Sequence, residues 1–163
     1  KVAYVFQGGA LFDSMTVFDN LAYPLREHTK LKEADIAVKI RSLLEEFGLS
    51  GNEHVYPAQL SGGMQKRVGL ARAIIMQPEV VLYDEPTAGL DPYNTKRIQD
   101  MILRLKQKGV TSILVTHDMP SAFAVCDRIA MLAEGKIGAV GSRQDLDTTA
   151  GGIMHRFING EEV

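Results

Sequence analysis

Two adjacent carboxylates close the apolar run Val80-Val81-Leu82-Tyr83-Asp84-Glu85. Such a run reads as a strand covered on both faces, and acids at its C-terminal end sit where open α/β sheets place ligands. The pair suits a division of labour, one acid near a Mg²⁺ ion and the other orienting or deprotonating a water. An exposed acidic loop after a strand is the plainer alternative. Leu60-Ser61-Gly62-Gly63 stands directly before a helical pattern. Its glycines let backbone approach an anion, Ser61 adds a hydroxyl, and the helix start adds unsatisfied N–H groups and a positive dipole end. An N-capped helix after a flexible turn would read the same way. His117 follows Thr111–Val115 beside Asp118, and Gln7 follows Val2–Phe6, so each lies just past a strand end. Glutamine is a neutral group able to touch both Mg²⁺ and a water. A capping histidine and a loop glutamine are the ordinary readings of these two positions.

These residues need elements to hold them. Val2–Phe6 reads as a short buried strand entering the Gln7-Gly8-Gly9 loop. Val17, Phe18, Leu21 and Leu25 have helical spacing, with Ser14 or Thr16 available as N-cap and Pro24 expected to end or kink the helix. A stronger helix is predicted from about Lys32 to Phe47, with Gly48 as its C′ residue and Ile36, Ile40, Leu43, Leu44 and Phe47 on one face. Ser50–Gln59 reads as a polar loop. The helix opened by Leu60–Gly63 turns Val68, Ala71, Ile74 and Ile75 inward and stops before Pro78. Asp91-Pro92 supplies an N-cap and first-turn pair for a helix through Lys108, with Gly109 beyond it. Thr111–Val115 is expected as a second buried strand, Met119–Val125 as a short helix, and Arg128–Ala133 and Lys136–Val140 as strands joined at Glu134-Gly135. Beyond Gly141 the tail reads as patchily helical, with Thr148–Gly152 flexible. The first half is mostly helical; the second alternates strand and helix as a parallel α/β core does.

Taken in order, Val5-Phe6-Gln7, Leu60-Ser61-Gly62-Gly63-Met64-Gln65, Val80–Pro86, Ala88-Gly89-Leu90-Asp91-Pro92 and Val115-Thr116-His117-Asp118 resemble five motifs of the ATP-binding cassette (ABC) nucleotide-binding subunit. They are similar to its Q-loop, signature, Walker B with catalytic glutamate, D-loop and H-loop. The resemblance runs to about Val140. It implies a P-loop NTPase (RecA-like) α/β core of parallel strands with an inserted helical subdomain. On that pattern residues 1–10 form the Q-loop strand and loop, 11–77 the helical subdomain, 78–140 the rest of the core and 141–163 a C-terminal tail. It further implies ATP and Mg²⁺. Asp84 would hold Mg²⁺ through water, Glu85 would be the general base, and His117 would contact the γ-phosphate. Gln7 would join Mg²⁺ and relay changes toward a membrane partner. Ser61, Gly62, Gly63 and Gln65 would face ATP held by a second, head-to-tail subunit, and Asp91 would serve communication across that dimer. Met64 stands where the family most often has Gln, which puts only that side-chain contact in doubt. The chemistry implied is phosphoryl transfer governed by positioning and charge stabilisation.

The segment from Gly8 to His28 is similar to ATPases of bacterial phospholipid-trafficking (Mla-type, toluene-tolerance) transporters. In the family this region docks a transmembrane permease, here near Gln7–Leu25, which would place the subunit in the cytoplasm on the inner face of the cell membrane. No G-x-x-x-x-G-K-[ST] phosphate loop is present, and the chain opens on strand-like residues without an initiator Met. The expectation is therefore an N-terminally truncated ATPase domain, active as the full protein, with this stretch alone binding ATP weakly or not at all, lacking ATPase activity and exposing a sheet edge. Two rivals remain: an ABC ATPase of translation or repair, and a catalytically dead interaction module. One signature motif and the short Gln7–Ser61 interval, lacking sustained heptads, weigh against the first. A net charge of −2 argues against a nucleic-acid binder, and Lys66-Arg67 reads as a solvated face. The single Cys126 excludes an internal disulfide and reads as a buried small residue, while His28, His54 and His155 have no ligand spacing. No apolar run approaches the roughly 20 residues of a membrane span.

Overall fold

The computed structural model describes residues 1–142, 145 and 153–158. They form two compact units, residues 1–116 and 117–163. In the first, strand β1 (Val2–Val5) leads through the Gln7–Ala10 turn to helix α1 (Val17–His28). Helix α2 (Glu33–Glu46), a single 3-10 turn at Pro57–Gln59 and helix α3 (Gly62–Ile74) follow. Strand β2 (Val80–Asp84), helix α4 (Pro92–Gln107) and strand β3 (Thr111–Val115) complete it. Thr16 caps α1 by accepting the Asp19 N–H at 3.1 Å, and Asp91 caps α4 by accepting that of Asn94 at 3.0 Å. Gly48 and Gly109 follow α2 and α4 at φ +62° and +85°, where a side chain would be strained.

Pro24 does not end α1. The helix continues to His28, because Val17, Leu21, Ala22 and Leu25 bury its inner face on both sides of the proline. Thr29 then closes the last turn by donating N–H and hydroxyl to the Leu25 carbonyl. Helices α1 and α2 pack together, as do α1 and α3, and α3 lies against β1.

The three strands form one parallel sheet in the order β1-β2-β3. Val5 pairs with Tyr83, and Tyr83 with Leu114. Side chains alternate across such a sheet, so Val5, Val81 and Tyr83 point into the core. The expectation of strands buried on both faces fails on the other side. There Val2 is 67% exposed, Ile113 54% and Val115 61%, with Tyr4 also open. Within the described residues of the first unit no element covers that face of the sheet, and β1 and β3 are both edges.

The second unit holds helix α5 (Met119–Val125), the antiparallel strands β4 (Ile129–Ala133) and β5 (Lys136–Gly141), and helix α6 (Ile153–Ile158). Glu134 and Gly135 take positive φ at the hairpin turn, as their types foretold. Met131 is its buried centre, packed by Met119, Ile129, Ala139 and Phe157. Cys126 is half-buried rather than buried, and the predicted flexible stretch 148–152 lies outside the described residues. No helix among the described residues is long and apolar enough to cross a membrane.

Candidate functional site

Parallel pairing carries the C-terminal ends of β1, β2 and β3 to the same edge of the sheet, so Gln7, Asp84-Glu85 and Thr116 all follow strand ends there. Gln7 is exposed in the turn after β1. Asp84 ends β2 half-buried, and its Oδ2 accepts from the Tyr4 hydroxyl of the neighbouring strand at 3.3 Å. Tyr4's own pKa rises through desolvation and then through the Asp84 charge.

Glu85 leaves the strand at φ +44°, a left-handed conformation that costs a non-glycine residue roughly 1–3 kcal/mol and concentrates at functional sites. Its surroundings hold it there. Its N–H donates to the Val115 carbonyl at 2.9 Å, its own carbonyl accepts from the Ala88 N–H at 3.2 Å, and its carboxylate accepts from the Thr116 hydroxyl at 3.0 Å. The carboxylate is thus aimed by a side chain at the end of the adjacent strand. His117 follows Thr116 in the chain and opens the second unit.

Ser61 is the N-cap of α3, accepting from the Met64 N–H at 3.3 Å. The two glycines after it differ. A Cβ on Gly62 would meet nothing within 4 Å, so its backbone stays open to an approaching group. A Cβ on Gly63 would strike the Asn94 side chain at 2.7 Å, so this glycine is needed for packing. Asn94 in turn hydrogen-bonds Asp91, and these bonds hold the exposed Asp91 carboxyl below its usual range. Gln65 does not present its amide beside Ser61. Its Nε2 donates to the carbonyls of Pro57 at 2.9 Å and Leu60 at 3.3 Å, bracing the loop that delivers Ser61.

Sequence reasoning missed the cations of α3. Lys66-Arg67 is not a solvated face. Arg67 is 7% exposed, with its guanidinium on the Gly63 and Phe47 carbonyls. Burial, then the neighbouring Arg97 charge, lowers its pKa. Lys66 sends its ammonium to the Ala88 carbonyl at 2.5 Å and the Glu85 carbonyl at 3.4 Å. Further along α3, Arg72 donates to the carbonyls of Ala10 at 2.6 Å and Gly9 at 3.3 Å and stacks over Phe12 at 5.1 Å. A Cβ on Gly69 would meet the Gly9 Cα at 2.7 Å, so helix and turn are in backbone contact. Residues 62, 66 and 69 recur along one side of the helix, but that spacing does not name the carbonyls these cations reach.

Asn20 was missed as well. It is fully buried in α1 and closes the loop before it. Its Nδ2 lies 3.0–3.1 Å from the carbonyls of Phe12, Met15 and Thr16. Its Oδ1 accepts from the Phe12 N–H at 2.9 Å and from Arg72 at 3.3 Å.

For Mg²⁺ the available donors are hard oxygens, the Asp84 carboxylate and the Gln7 amide. That set matches the ion's habit of taking one or two protein ligands and filling its octahedron with water and phosphate. No cluster of three or more His, Cys, Asp or Glu side chains suited to a metal occurs among the described residues. His28, His54 and His155 are exposed.

Residues 1–88 match the family model described as ABC transporter. The chain is 41% identical over 160 residues to the probable ribonucleotide transport ATP-binding protein mkl of Mycobacterium leprae, covering 98% of this chain and 46% of that protein. It is 40% identical over 161 residues to the intermembrane phospholipid transport system ATP-binding protein MlaF of Escherichia coli, covering 98% and 60%. Against the methionine import ATP-binding protein MetN of Chlamydia pneumoniae identity is 38% over 166 residues, covering 98% and 49%. The chain thus spans about half the length of the curated relatives it matches. Its parallel sheet with packed helices is consistent with a P-loop NTPase core.

Proposed function

The chain belongs to the ABC transporter family, and from that premise we propose that it is part of an ATP-hydrolysing subunit driving a bacterial transporter, with phospholipid as the transported class. The observation that carries the reading is the gathering of Gln7, Asp84, Glu85 and Thr116 after three parallel strand ends, with Glu85 held in a strained conformation. Gln7 and Asp84 would hold Mg²⁺ together with waters and phosphate oxygens, and the ion would supply neutralisation of phosphate charge. Glu85 takes a proton from the attacking water, its carboxylate oriented by Thr116. His117 keeps the phosphate contact that the family pattern assigns to it. Ser61 and the open backbone of Gly62, at the positive end of α3, receive the γ-phosphate of ATP on a second, head-to-tail subunit. Asp91 lies at that same junction. Gln65 acts through the loop it braces.

The division into a Q-loop strand at 1–10, a helical subdomain at 11–77, a remaining core at 78–140 and a tail at 141–163 goes with this reading. So do docking of a permease near Gln7–Leu25 and a peripheral position on the inner face of the cell membrane. Phospholipid is favoured by the segment Gly8–His28 and by the similarity to MlaF. The ribonucleotide named for the mycobacterial relative is the competing cargo in any transport assay. The test uses the intact natural chain carrying these residues. With Glu85→Gln to block hydrolysis, ATP should convert it to a dimer by light scattering, and Gly62→Asp in that background should abolish the conversion. A monomer at saturating ATP contradicts the reading.

A further inference from the structure

We propose that Lys66 is a positioning residue for Glu85, pinning the Glu85–Ala88 turn from the signature helix so that the glutamate keeps its strained, aimed conformation; this rests on the ATPase reading above. Glu85 and Ala88 bracket Pro86, which has no N–H to give the turn. One backbone bond closes it, from the Ala88 N–H to the Glu85 carbonyl at 3.2 Å. The Ala88 carbonyl is left for an outside donor, and Lys66 Nζ fills that role at 2.5 Å while reaching the Glu85 carbonyl at 3.4 Å. An ammonium has three rotatable donors, so a single side chain can serve two carbonyls whose spacing follows from the turn.

The attachment is specific in two further respects. Lys66 is half-buried, and burial pulls its pKa down while the nearby Glu85 carboxylate opposes that shift. A solvated lysine on a helix face would not feel the first of these effects. Lys66 also stands one helical turn beyond Gly62 and Gly63, the residues proposed to meet the opposite subunit's phosphate. One side chain therefore joins the surface that senses the partner's ATP to the turn that carries the general base. A second strut runs beside it, from Gly63 against Asn94 to the Asp91 carboxylate. Lys66 spends its ammonium on the Ala88 and Glu85 carbonyls and so acts through Glu85.

The test compares wild type, Lys66→Met and Lys66→Arg in the intact natural chain, reading ATPase kinetics and amide hydrogen exchange at Glu85 and Ala88. Lys66→Met should lower kcat about tenfold with KM for ATP within about twofold, because positioning of the base is lost and binding is not. Exchange at Ala88 should quicken about tenfold while that of Leu70, in the middle of α3, stays unchanged. Lys66→Arg should recover most of both effects, since a guanidinium can also serve two carbonyls. An active wild type with a Lys66→Met variant of unchanged kcat overturns the proposal alone. So does a loss that appears mainly in KM, or an arginine variant no better than methionine. A wild type that hydrolyses no ATP overturns the functional reading and the proposal with it.

Discussion

Replacing Asn20 with Asp changes one atom type and should nonetheless unfold the first unit well below its normal temperature. The amide nitrogen of Asn20 faces three carbonyl oxygens at 3.0–3.1 Å, and its oxygen faces the Phe12 N–H and Arg72. Only one amide orientation satisfies that set, because a flip would aim NH₂ at two donors. Aspartate keeps the acceptor side and gains an ion pair with Arg72. It loses both donated bonds and sets an anion against three carbonyls in a site closed to solvent. Each lost bond is worth about 0.5–1.5 kcal/mol net, and an unsatisfied buried group costs about 1–3 kcal/mol, so a loss of roughly 2–4 kcal/mol follows. For a unit of 116 residues that corresponds to about 8–16 °C in Tm. Asn20→Ala should fall in the same range, through the cavity and the orphaned Phe12 N–H. Thermal unfolding followed by circular dichroism distinguishes the two variants by pH. The aspartate deficit relative to wild type should shrink on acidification, as the carboxyl protonates and donates one bond again, while the alanine deficit stays constant. An Asn20→Asp protein as stable as wild type at neutral pH, or a deficit insensitive to pH, would refute the assigned network.

Gly69→Ala should destabilise by about 1 kcal/mol, since overpacking against the Gly9 backbone costs about 1–3 kcal/mol and exceeds the helix-propensity gain of about 1 kcal/mol; a higher urea midpoint for the variant contradicts the close contact. Acid should weaken the fold through Asp19 and Asp91. Asp19 is held below the usual aspartate value of 3.8 by the Thr16 hydroxyl and then Arg26, and Asp91 by Asn94. Their stabilisation is complete above that value and drains as pH falls through the lowered ones, so urea midpoints should drop as pH falls below about 4; Asp91→Asn should lose part of that pH dependence. The open sheet face should drive self-association, and Ile113→Lys should reduce it, with Tm changed by no more than a surface substitution allows. Dynamic light scattering showing a concentration-independent monomer for the wild type counts against this.

Much of the frame was legible in the residues because its signals are local. Thr16, Asp91, Gly48 and Gly109 each mark a helix end through groups within a few residues, and the caps fall where their chemistry places them. The strand-end acids were legible for the same reason. Pro24 does not end its helix because its local penalty is outweighed by burial of Leu21, Ala22 and Leu25, and burial is set by partners far away in sequence. The open sheet face misled in the opposite direction. Apolar runs state that a strand wants cover on both faces, and nothing in Thr111–Val115 says whether the described residues supply it. Arg72 lies 52 residues from Asn20, and Lys66 lies 19 from Glu85. Bonds from side chains to distant carbonyls leave no periodicity, so the struts behind the site emerge only from the fold.

The most direct measurement of the central claim is steady-state ATP hydrolysis by the intact natural chain with Glu85 intact and with Glu85→Gln. The account predicts Mg²⁺-dependent hydrolysis that falls about a hundredfold or more in the glutamine variant, in line with the contribution of a general base, while ATP binding stays within about twofold. Hydrolysis that survives the Glu85→Gln substitution would contradict it.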